Sequence, residues 1–295
     1  MRIMCSLKLM FVQYCQNPYF CSLMKTATPL YRIIFVLTSV LLLSGCKSDF
    51  EKIRTSGDPE LLLQKSLDYY KQEEYQRAQL LFELILSSYR GRQEGEELFF
   101  KYAYTFYHLE NFMMGNYHFK TFSQTYPLSP QREEADFMAA YCHYQLSPVF
   151  RLDQSYSLKA IDDMENFVAL YPQSSRVAEC NRIIDDLRVK LEKKAFEEGK
   201  LYFKIQQYQS AVNTFENLLK DFPETSNDEE VRYMVYRSAF LQAENSILEK
   251  RRERYEEALK VCGEFLKRYP KSIYRKELEA AQVQIQQRIK QLNDV

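Results

Sequence analysis

The stretch "GKLYFKIQQYQSAVNTFENLLKDFP", residues 199–223, contains the pattern that decides the fold. Its apolar residues recur at steps of three and four, which is the spacing of one face of an α-helix. A second such face begins near Tyr208, and Pro223 ends it because proline lacks a backbone N–H and blocks the next turn. The stretch therefore predicts two helices joined by a short turn and stopped by proline.

The same ending occurs four times, at Tyr126-Pro127, Tyr171-Pro172, Phe222-Pro223 and Tyr269-Pro270, with proline spacings of 45, 51 and 47 residues. A degenerate earlier copy ends at Tyr89. A regular internal repeat of this length indicates an array of similar structural units. We expect five helical hairpins over residues 58–271 and a polar amphipathic capping helix over 272–295.

Within each copy, a small residue lies twelve positions before the proline or its equivalent, and apolar residues follow it after four and seven positions. These three positions share one helix face and are expected to be buried. The helices that carry this face are expected to begin near Tyr75, Phe112, Ser157, Tyr208 and Tyr255. The small residues are Ala78, Gly115, Ala160, Ala211 and Ala258; the apolar residues are Phe82, Phe119, Met164, Phe215 and Cys262, then Ile85, Phe122, Phe167, Leu218 and Phe265.

The order small, aromatic, Ala, aromatic, Pro at Gly199, Tyr202, Ala211, Phe215 and Pro223 resembles the tetratricopeptide repeat. The resemblance implies an all-α, right-handed superhelix with a concave inner wall. A helical array of another kind is the alternative. Insertions at 147–157 in the third copy and 245–254 in the fifth predict a lengthened turn or a helix extension.

The N-terminus carries an apolar run, Ile33 to Leu43, between Arg32 and Ser44-Gly45-Cys46. This run is too short to cross a bilayer, which needs about 20 residues, and its order is that of a secretory leader. Leu43 to Cys46 resembles a bacterial lipobox, which implies acylation of Cys46 by membrane-anchoring chains such as palmitate. We expect a signal peptide over 1–45, with Met24 as a second candidate start, and a lipidated linker over 46–57. An ordinary secretory leader is the alternative.

After removal of the leader, 36 basic and 40 acidic residues remain, so the composition does not favour nucleic acid as a partner. The chain has no metal-ligand spacing, nucleophile motif or phosphate-binding glycine loop, so we expect neither enzyme activity, nor a cofactor, nor a bound metal. Three cysteines are expected to be buried thiols and the histidines to lack chemical roles: Cys142, Cys180 and Cys262; His108, His118 and His143.

The first helices of the hairpins carry more aromatic residues than the repeat pattern needs. If Ala103 and Ala140 hold the small-residue positions, these rings face the concave wall and form a candidate groove for extended, aromatic-bearing protein segments. The alternative is that the rings only pack neighbouring helices together. The candidates are Tyr70, Phe100, Tyr104, Tyr107, Phe137, Tyr141, Tyr144, Phe196 and Phe203.

The segment "SLKAIDDMENFVALYPQSSRVAEC", residues 157–180, together with the lipobox and five hairpins, resembles the BamD (ComL/YfiO) family of outer membrane assembly lipoproteins. The resemblance implies a non-enzymatic scaffold of the β-barrel assembly machinery, lipid-anchored in the outer membrane and facing the periplasm. It implies that the C-terminal repeats bind the periplasmic domains of the barrel-forming subunit, that other assembly lipoproteins are also partners, and that the N-terminal repeats receive unfolded outer membrane proteins. The alternatives are a tetratricopeptide adaptor of peptidoglycan and envelope maintenance, or a glycan-binding lipoprotein of an outer membrane transporter.

Overall fold

The computed structural model describes residues 49–293. The predicted signal peptide and the predicted lipidation site Cys46 lie outside these residues. Within the described range the chain is helical and contains no strand, so the all-α prediction is confirmed. The helices are α1 (Asp49–Arg54), α2 (Pro59–Lys71), α3 (Tyr75–Ile85), α4 (Gln93–His108), α5 (Phe112–Thr125), α6 (Arg132–Gln145), α7 (Ser155–Leu170), α8 (Val177–Lys204), α9 (Tyr208–Asp221), α10 (Asp228–Glu244), α11 (Leu248–Arg268) and α12 (Arg275–Asn293).

The chain divides into two compact units, Met1–Lys65 and Ser66–Val295. In the described part of the first unit, Asp58 begins α2. Its carboxylate Oδ1 accepts a hydrogen bond of 3.0 Å from the backbone N–H of Glu60, one of the donors that the first helical turn leaves without a partner. The helix α1 occupies part of the segment that the sequence predicts to be a linker.

In the second unit, consecutive helices from α3 to α12 pack against each other in chain order. Every small and apolar position predicted from the repeat is buried, including Phe215, Phe122 and Phe265, which are among the largest fully buried side chains. The small residues allow close helix approach, because a helix backbone can then pack directly against a ring. This is the packing of tetratricopeptide-like hairpins, and the predicted buried face is confirmed.

The joints between hairpins share one arrangement. Two residues after each proline of the Tyr-Pro or Phe-Pro ending, a hydroxyl accepts a hydrogen bond of 3.0 to 3.1 Å from the backbone N–H two positions further on, which forms a side-chain turn. In the three middle copies the hydroxyl also donates to a glutamate on the first helix of its own repeat. The pairs are Ser129 with Glu96 (2.5 Å), Ser174 with Glu133 (2.6 Å) and Thr225 with Glu192 (2.5 Å).

Three of the turns inside the hairpins use a left-handed residue that is not glycine. Glu73, Glu110 and Gln206 have φ values of 59°, 58° and 62°. In each turn the next residue's N–H donates back to a carbonyl five residues earlier, as Asn111 does to Phe106 at 2.9 Å. This αL ending satisfies carbonyls that the last helical turn would leave without partners.

The two insertions adopt different structures. Residues 147–154 form an irregular loop, whereas the second insertion continues as helix, so that α11 begins at Leu248 instead of near Tyr255. The long proline spacing before Pro223 is explained by α8, a single helix of 28 residues. None of the helices within residues 49–293 is both long and apolar enough to cross a membrane.

The three cysteines of the described region are free and buried, as the sequence predicts. Burial raises the pKa of the Cys142 thiol to about 12. Burial, with the nearby Glu179 carboxylate, raises the pKa of Cys180 to about 11. These thiols remain protonated at neutral pH and act as small apolar side chains.

Candidate functional site: an aromatic row across three hairpins

Aromatic rings from α2, α4 and α6 form one continuous row, which we define as Tyr70, Tyr104, Tyr107, His108, Tyr141 and Tyr144. Successive ring centroids lie 6.2 Å apart from Tyr70 to His108 and 5.9 Å from His108 to Tyr104. The row continues from Tyr104 to Tyr107 at 6.4 Å, from Tyr107 to Tyr141 at 6.2 Å and from Tyr141 to Tyr144 at 5.5 Å. Each distance is within the range of favourable ring pairs.

All six members of the aromatic row are at least partly exposed, so their rings are accessible as well as packed. Burial, with the neighbouring Tyr75 hydroxyl, raises the pKa of Tyr70 to about 12. Burial also lowers the pKa of His108 below its usual value, and its ring stacks on Tyr75 at 4.1 Å. Burial therefore favours the neutral forms of Tyr70 and His108, and the tyrosines of the row carry phenol hydroxyl groups as polar tips.

Tyr104 is held in place by a polar network from the next hairpin. Its hydroxyl donates to Oε1 of Glu134 at 2.7 Å, and Arg176 donates to Oε2 of the same carboxylate at 2.6 Å. Burial and the hydrogen bond to Glu134 raise the pKa of Tyr104. The network connects α4, α6 and the start of α8, and it fixes the middle of the aromatic row.

Two candidate groove residues near the row belong mainly to the packing of the repeats. Phe137 is 2% exposed, with the guanidinium of Arg176 at 4.0 Å from its ring centroid, so the structure places it in the core and not on a binding surface. Phe100 is partly exposed but packs on Phe122 at 5.1 Å and on Tyr104 at 5.0 Å.

The last two candidates, Phe196 and Phe203, lie on α8 and are separate from the aromatic row. Phe196 packs 6.0 Å from Phe215, whereas Phe203 faces the guanidinium of Arg237 on α10 at 5.2 Å. Arg237 also lies 5.8 Å from the ring of Tyr233 and lines an open cleft of about 340 Å³. Of the nine candidates, five lie in the aromatic row and Phe203 lies in a C-terminal cluster with Arg237 and Tyr233. The other three belong mainly to helix packing: Phe100, Phe137 and Phe196.

The titratable side chains form structural networks. Asp163 on α7 pairs with the ammonium of Lys120 at 2.9 Å and with Nδ1 of His143 at 2.7 Å. Burial would raise the pKa of Asp163, but these two hydrogen bonds outweigh it and lower the pKa. Among residues 49–293, no group of His, Cys, Asp and Glu side chains is placed to hold a metal ion.

Sequence reasoning missed His108 as a member of the aromatic row, because it considered histidines only for proton transfer or metal binding. The signal was present, since His108 follows Tyr107 directly and lies four residues after Tyr104 on the same helix. Glu134, Arg176 and Arg237 were also missed. Their roles depend on contacts between different hairpins, which the repeat pattern does not specify.

Comparison with known proteins places the chain in a family. The family model described as "YfiO: Outer membrane lipoprotein" matches residues 56–237, which is more than half of the chain. The chain belongs to the YfiO family. The match covers the aromatic row and Phe203, and it ends at Arg237.

A curated relative of this YfiO-family chain is the outer membrane protein assembly factor BamD of Rickettsia prowazekii (strain Madrid E). The two are 21% identical over 198 residues, which covers 67% of this chain and 79% of the relative. Two solved structures are similar at a low level. A thermophilic tetratricopeptide protein of Thermus thermophilus is 16% identical over 77% of this chain and 98% of its own, with a TM-score of 0.30. The yeast histone chaperone Hif1 is 17% identical over 83% and 98%, with a TM-score of 0.27.

Proposed function

We propose that the chain is a non-enzymatic lipoprotein scaffold of the β-barrel assembly machinery, anchored in the outer membrane through Cys46 and facing the periplasm. Membership of the YfiO family of outer membrane lipoproteins and the similarity to a BamD protein support this assignment. In this proposal the C-terminal repeats bind the periplasmic domains of the barrel-forming subunit, and other assembly lipoproteins are further partners.

The aromatic row carries the proposal for substrate binding. Strands of outer membrane proteins present an apolar face and carry aromatic girdles at both membrane interfaces, so an unfolded substrate exposes alternating rings. Tyr107 and Tyr144 offer partly exposed rings at low cost in side-chain entropy, and their hydroxyl groups can bond to substrate backbone. The row would therefore receive extended substrate segments in the N-terminal repeats.

A peptide-binding experiment tests the role of the row. Tyr107→Ala with Tyr144→Ala in the full chain should weaken binding of a synthetic outer membrane strand with alternating aromatics by about tenfold or more. The matched control is Tyr117→Ala, because Tyr117 is 58% exposed but lies on α5, outside the row. Fluorescence anisotropy gives the Kd, and circular dichroism checks folding. Equal affinity in the folded double variant would remove the row from the binding site.

Affinity purification of the native protein from its membrane tests the wider assignment. Recovery of a large barrel protein with repeated periplasmic domains supports the assembly role. Recovery of peptidoglycan synthases would favour the envelope-maintenance alternative, and recovery of a sugar transporter would favour the glycan-binding alternative. Either result, without the barrel protein, contradicts the proposed function.

A further inference from the structure

The insertion of the third hairpin forms a rigid loop that the function proposed above does not use. Residues Val149 to Leu152 make a tight turn, with the N–H of Leu152 donating to the carbonyl of Val149 at 3.0 Å. The buried side-chain amide of Gln154 donates to both of these carbonyls, at 2.9 Å to Val149 and 3.0 Å to Leu152. The loop is therefore held in one conformation by its own side chains.

Two lysines of α8 donate hydrogen bonds to backbone carbonyls of the same loop. Lys190 donates to the carbonyl of Pro148 at 3.2 Å, and Lys194 donates to the carbonyl of Leu152 at 2.7 Å. These bonds use helix α8 as a support, since both lysines lie on the same helix face. The turn is thus an ordered part of the third repeat that packs on α8, the following helix.

At the tip of this turn, two positive charges approach one aromatic ring. The guanidinium carbon of Arg151 lies 4.9 Å from the ring centroid of Phe150, and the ammonium of Lys193 lies 4.8 Å from it. The two charges are therefore no more than about 10 Å apart, close to one Debye length at physiological salt. Neither cation forms an ion pair within the described part of the chain. The site therefore concentrates positive charge that a nearby anion would neutralise.

Apolar side chains next to these cations along the chain are exposed. Val149 is 66% exposed and Leu152 is 57% exposed, on either side of Phe150 and Arg151. Val189, 64% exposed, lies one helical turn before Lys193 on the same face. The acid of the loop, Asp153, accepts a hydrogen bond of 3.0 Å from the N–H of Ser155 and so begins α7.

We propose that residues 148–152 and Lys193, which we call the cationic loop, dock on the anionic headgroups of a phospholipid membrane. Exposed aliphatic side chains and a partly exposed ring beside arginine and lysine suit the boundary between headgroups and acyl chains. An acidic protein segment would pair with the charges but would leave Val149 and Leu152 in water. The YfiO family consists of outer membrane lipoproteins, so a membrane surface lies near this chain. The cationic loop then gives the protein a second membrane contact besides its proposed acyl anchor.

The chain contains no tryptophan, so Leu152→Trp places a single fluorescent probe in the cationic loop. The full chain, purified from membranes, is reconstituted in vesicles of brominated phosphatidylcholine with or without about 30 mol % phosphatidylglycerol. We expect bromine to quench the probe at least threefold more in the anionic vesicles. A probe at Ile247→Trp, in the loop before α11, controls for unspecific contact with the bilayer, because Ile247 is 64% exposed and far along the sequence.

Charge reversal identifies the cations that matter. In the probe background, Arg151→Glu with Lys193→Glu should abolish the extra quenching, and Arg151→Gln with Lys193→Gln should reduce it. Lys220→Glu with Lys271→Glu, both exposed positions elsewhere, makes the same change in net charge and should leave the quenching unchanged. Circular dichroism checks that each variant is folded.

Three results would overturn the proposal. One is an unquenched Leu152→Trp probe in anionic vesicles, when flotation shows that the protein is bound to those vesicles. Another is equal quenching in neutral and anionic vesicles, which would mean that charge is irrelevant. The third is a probe that is not quenched by vesicles but shifts its emission with a polyglutamate peptide, which would assign the cationic loop to an acidic protein segment.

Discussion

Gly199 of α8 lies directly under the ring of Phe215 of α9: a Cβ built on this glycine would stand 2.5 Å from Cε1 of the ring. Real Cβ atoms do not approach a neighbouring carbon so closely, and Phe215 is fully buried and cannot move aside. The glycine therefore sets the distance between the two helices of the fourth hairpin.

Gly199→Ala should destabilise the protein. Overpacking of a tight core costs about 1 to 3 kcal/mol. A contact of 2.5 Å with a buried ring should cost an amount at the upper end of this range, which exceeds the gain of about 1 kcal/mol that alanine gives in a helix interior. Urea unfolding followed by circular dichroism measures the difference. Gly263→Ala is the matched control, because Gly263 lies inside α11 with no atom within 4 Å of its added Cβ, and it should stabilise by about 1 kcal/mol. Stabilisation by both substitutions would contradict the close contact with Phe215.

Thr225→Val should weaken the joint between the fourth and fifth hairpins. The substitution removes the hydroxyl that donates to Glu192 at 2.5 Å and accepts from the N–H of Asn227 at 3.1 Å, while it keeps the side-chain volume. We expect a loss of about 1 to 2 kcal/mol in the free energy of unfolding, because Thr225 is buried and its partners lose hydrogen bonds. Thr225→Ser retains the hydroxyl and should cost less. A valine variant as stable as the native chain would show that the joint does not depend on this hydroxyl.

His118→Phe should stabilise the protein, and more so in mild acid. The His118 ring stacks on Phe106 at 4.4 Å and lies 4.9 Å from Tyr102, and its Nδ1 is buried without a hydrogen-bond partner. Burial lowers the pKa of His118 to about 4, so the unfolded chain binds a proton between about pH 6.5 and pH 4 that the folded chain does not. Native stability therefore falls as the pH falls through this window.

The measurement for His118→Phe is the melting temperature at pH 8 and at pH 5. Phenylalanine does not titrate, so the stability advantage of the variant should be larger at pH 5, by less than about 1.4 kcal/mol per pH unit below 6.5. His143→Phe is not a suitable control, because His143 bonds to Asp163. A pH-independent advantage would mean that His118 is protonated to the same extent in the folded and unfolded chains.

Cys46→Ala tests the proposed membrane anchor at Cys46, a residue outside the described range. Without the thiol no acyl chain can be attached, so the variant should appear in the soluble fraction or retain an uncleaved leader. Fractionation followed by intact-mass spectrometry distinguishes these outcomes. Ser44→Ala keeps the cysteine and should be processed normally. A Cys46→Ala protein that is still cleaved and still sediments with membranes would rule out the lipobox.

Most of the fold could be predicted from the sequence because the repeat encodes local helix faces. The beginnings of α3, α5 and α9 at Tyr75, Phe112 and Tyr208 agree with the prediction, since a buried face defines each helix and a proline follows α5 and α9. The repeat pattern predicts a start of α11 near Tyr255, which is too late, because the helix begins at Leu248. Residues 248–254 are mainly leucine, glutamate, lysine and arginine, which favour helix and extend it, whereas Pro148 keeps the other insertion irregular.

The candidate site could be predicted only in part. Helical spacing located the exposed tyrosines of the aromatic row, but it did not show that Phe137 is covered by Arg176, because that arginine comes from the following repeat. Contacts between side chains of different repeats depend on the angle at which hairpins stack. The sequence pattern within one repeat does not contain that angle, so the roles of Glu134 and Arg237 became visible only in three dimensions.

The joints have a consequence for how such a protein can evolve. Ser129, Ser174 and Thr225 each donate a hydrogen bond to a glutamate of the same repeat. Duplication of the gene segment that encodes one repeat would therefore copy both partners of the bond. The array can therefore gain or lose one of these middle copies without separating any of the three hydroxyl–glutamate pairs.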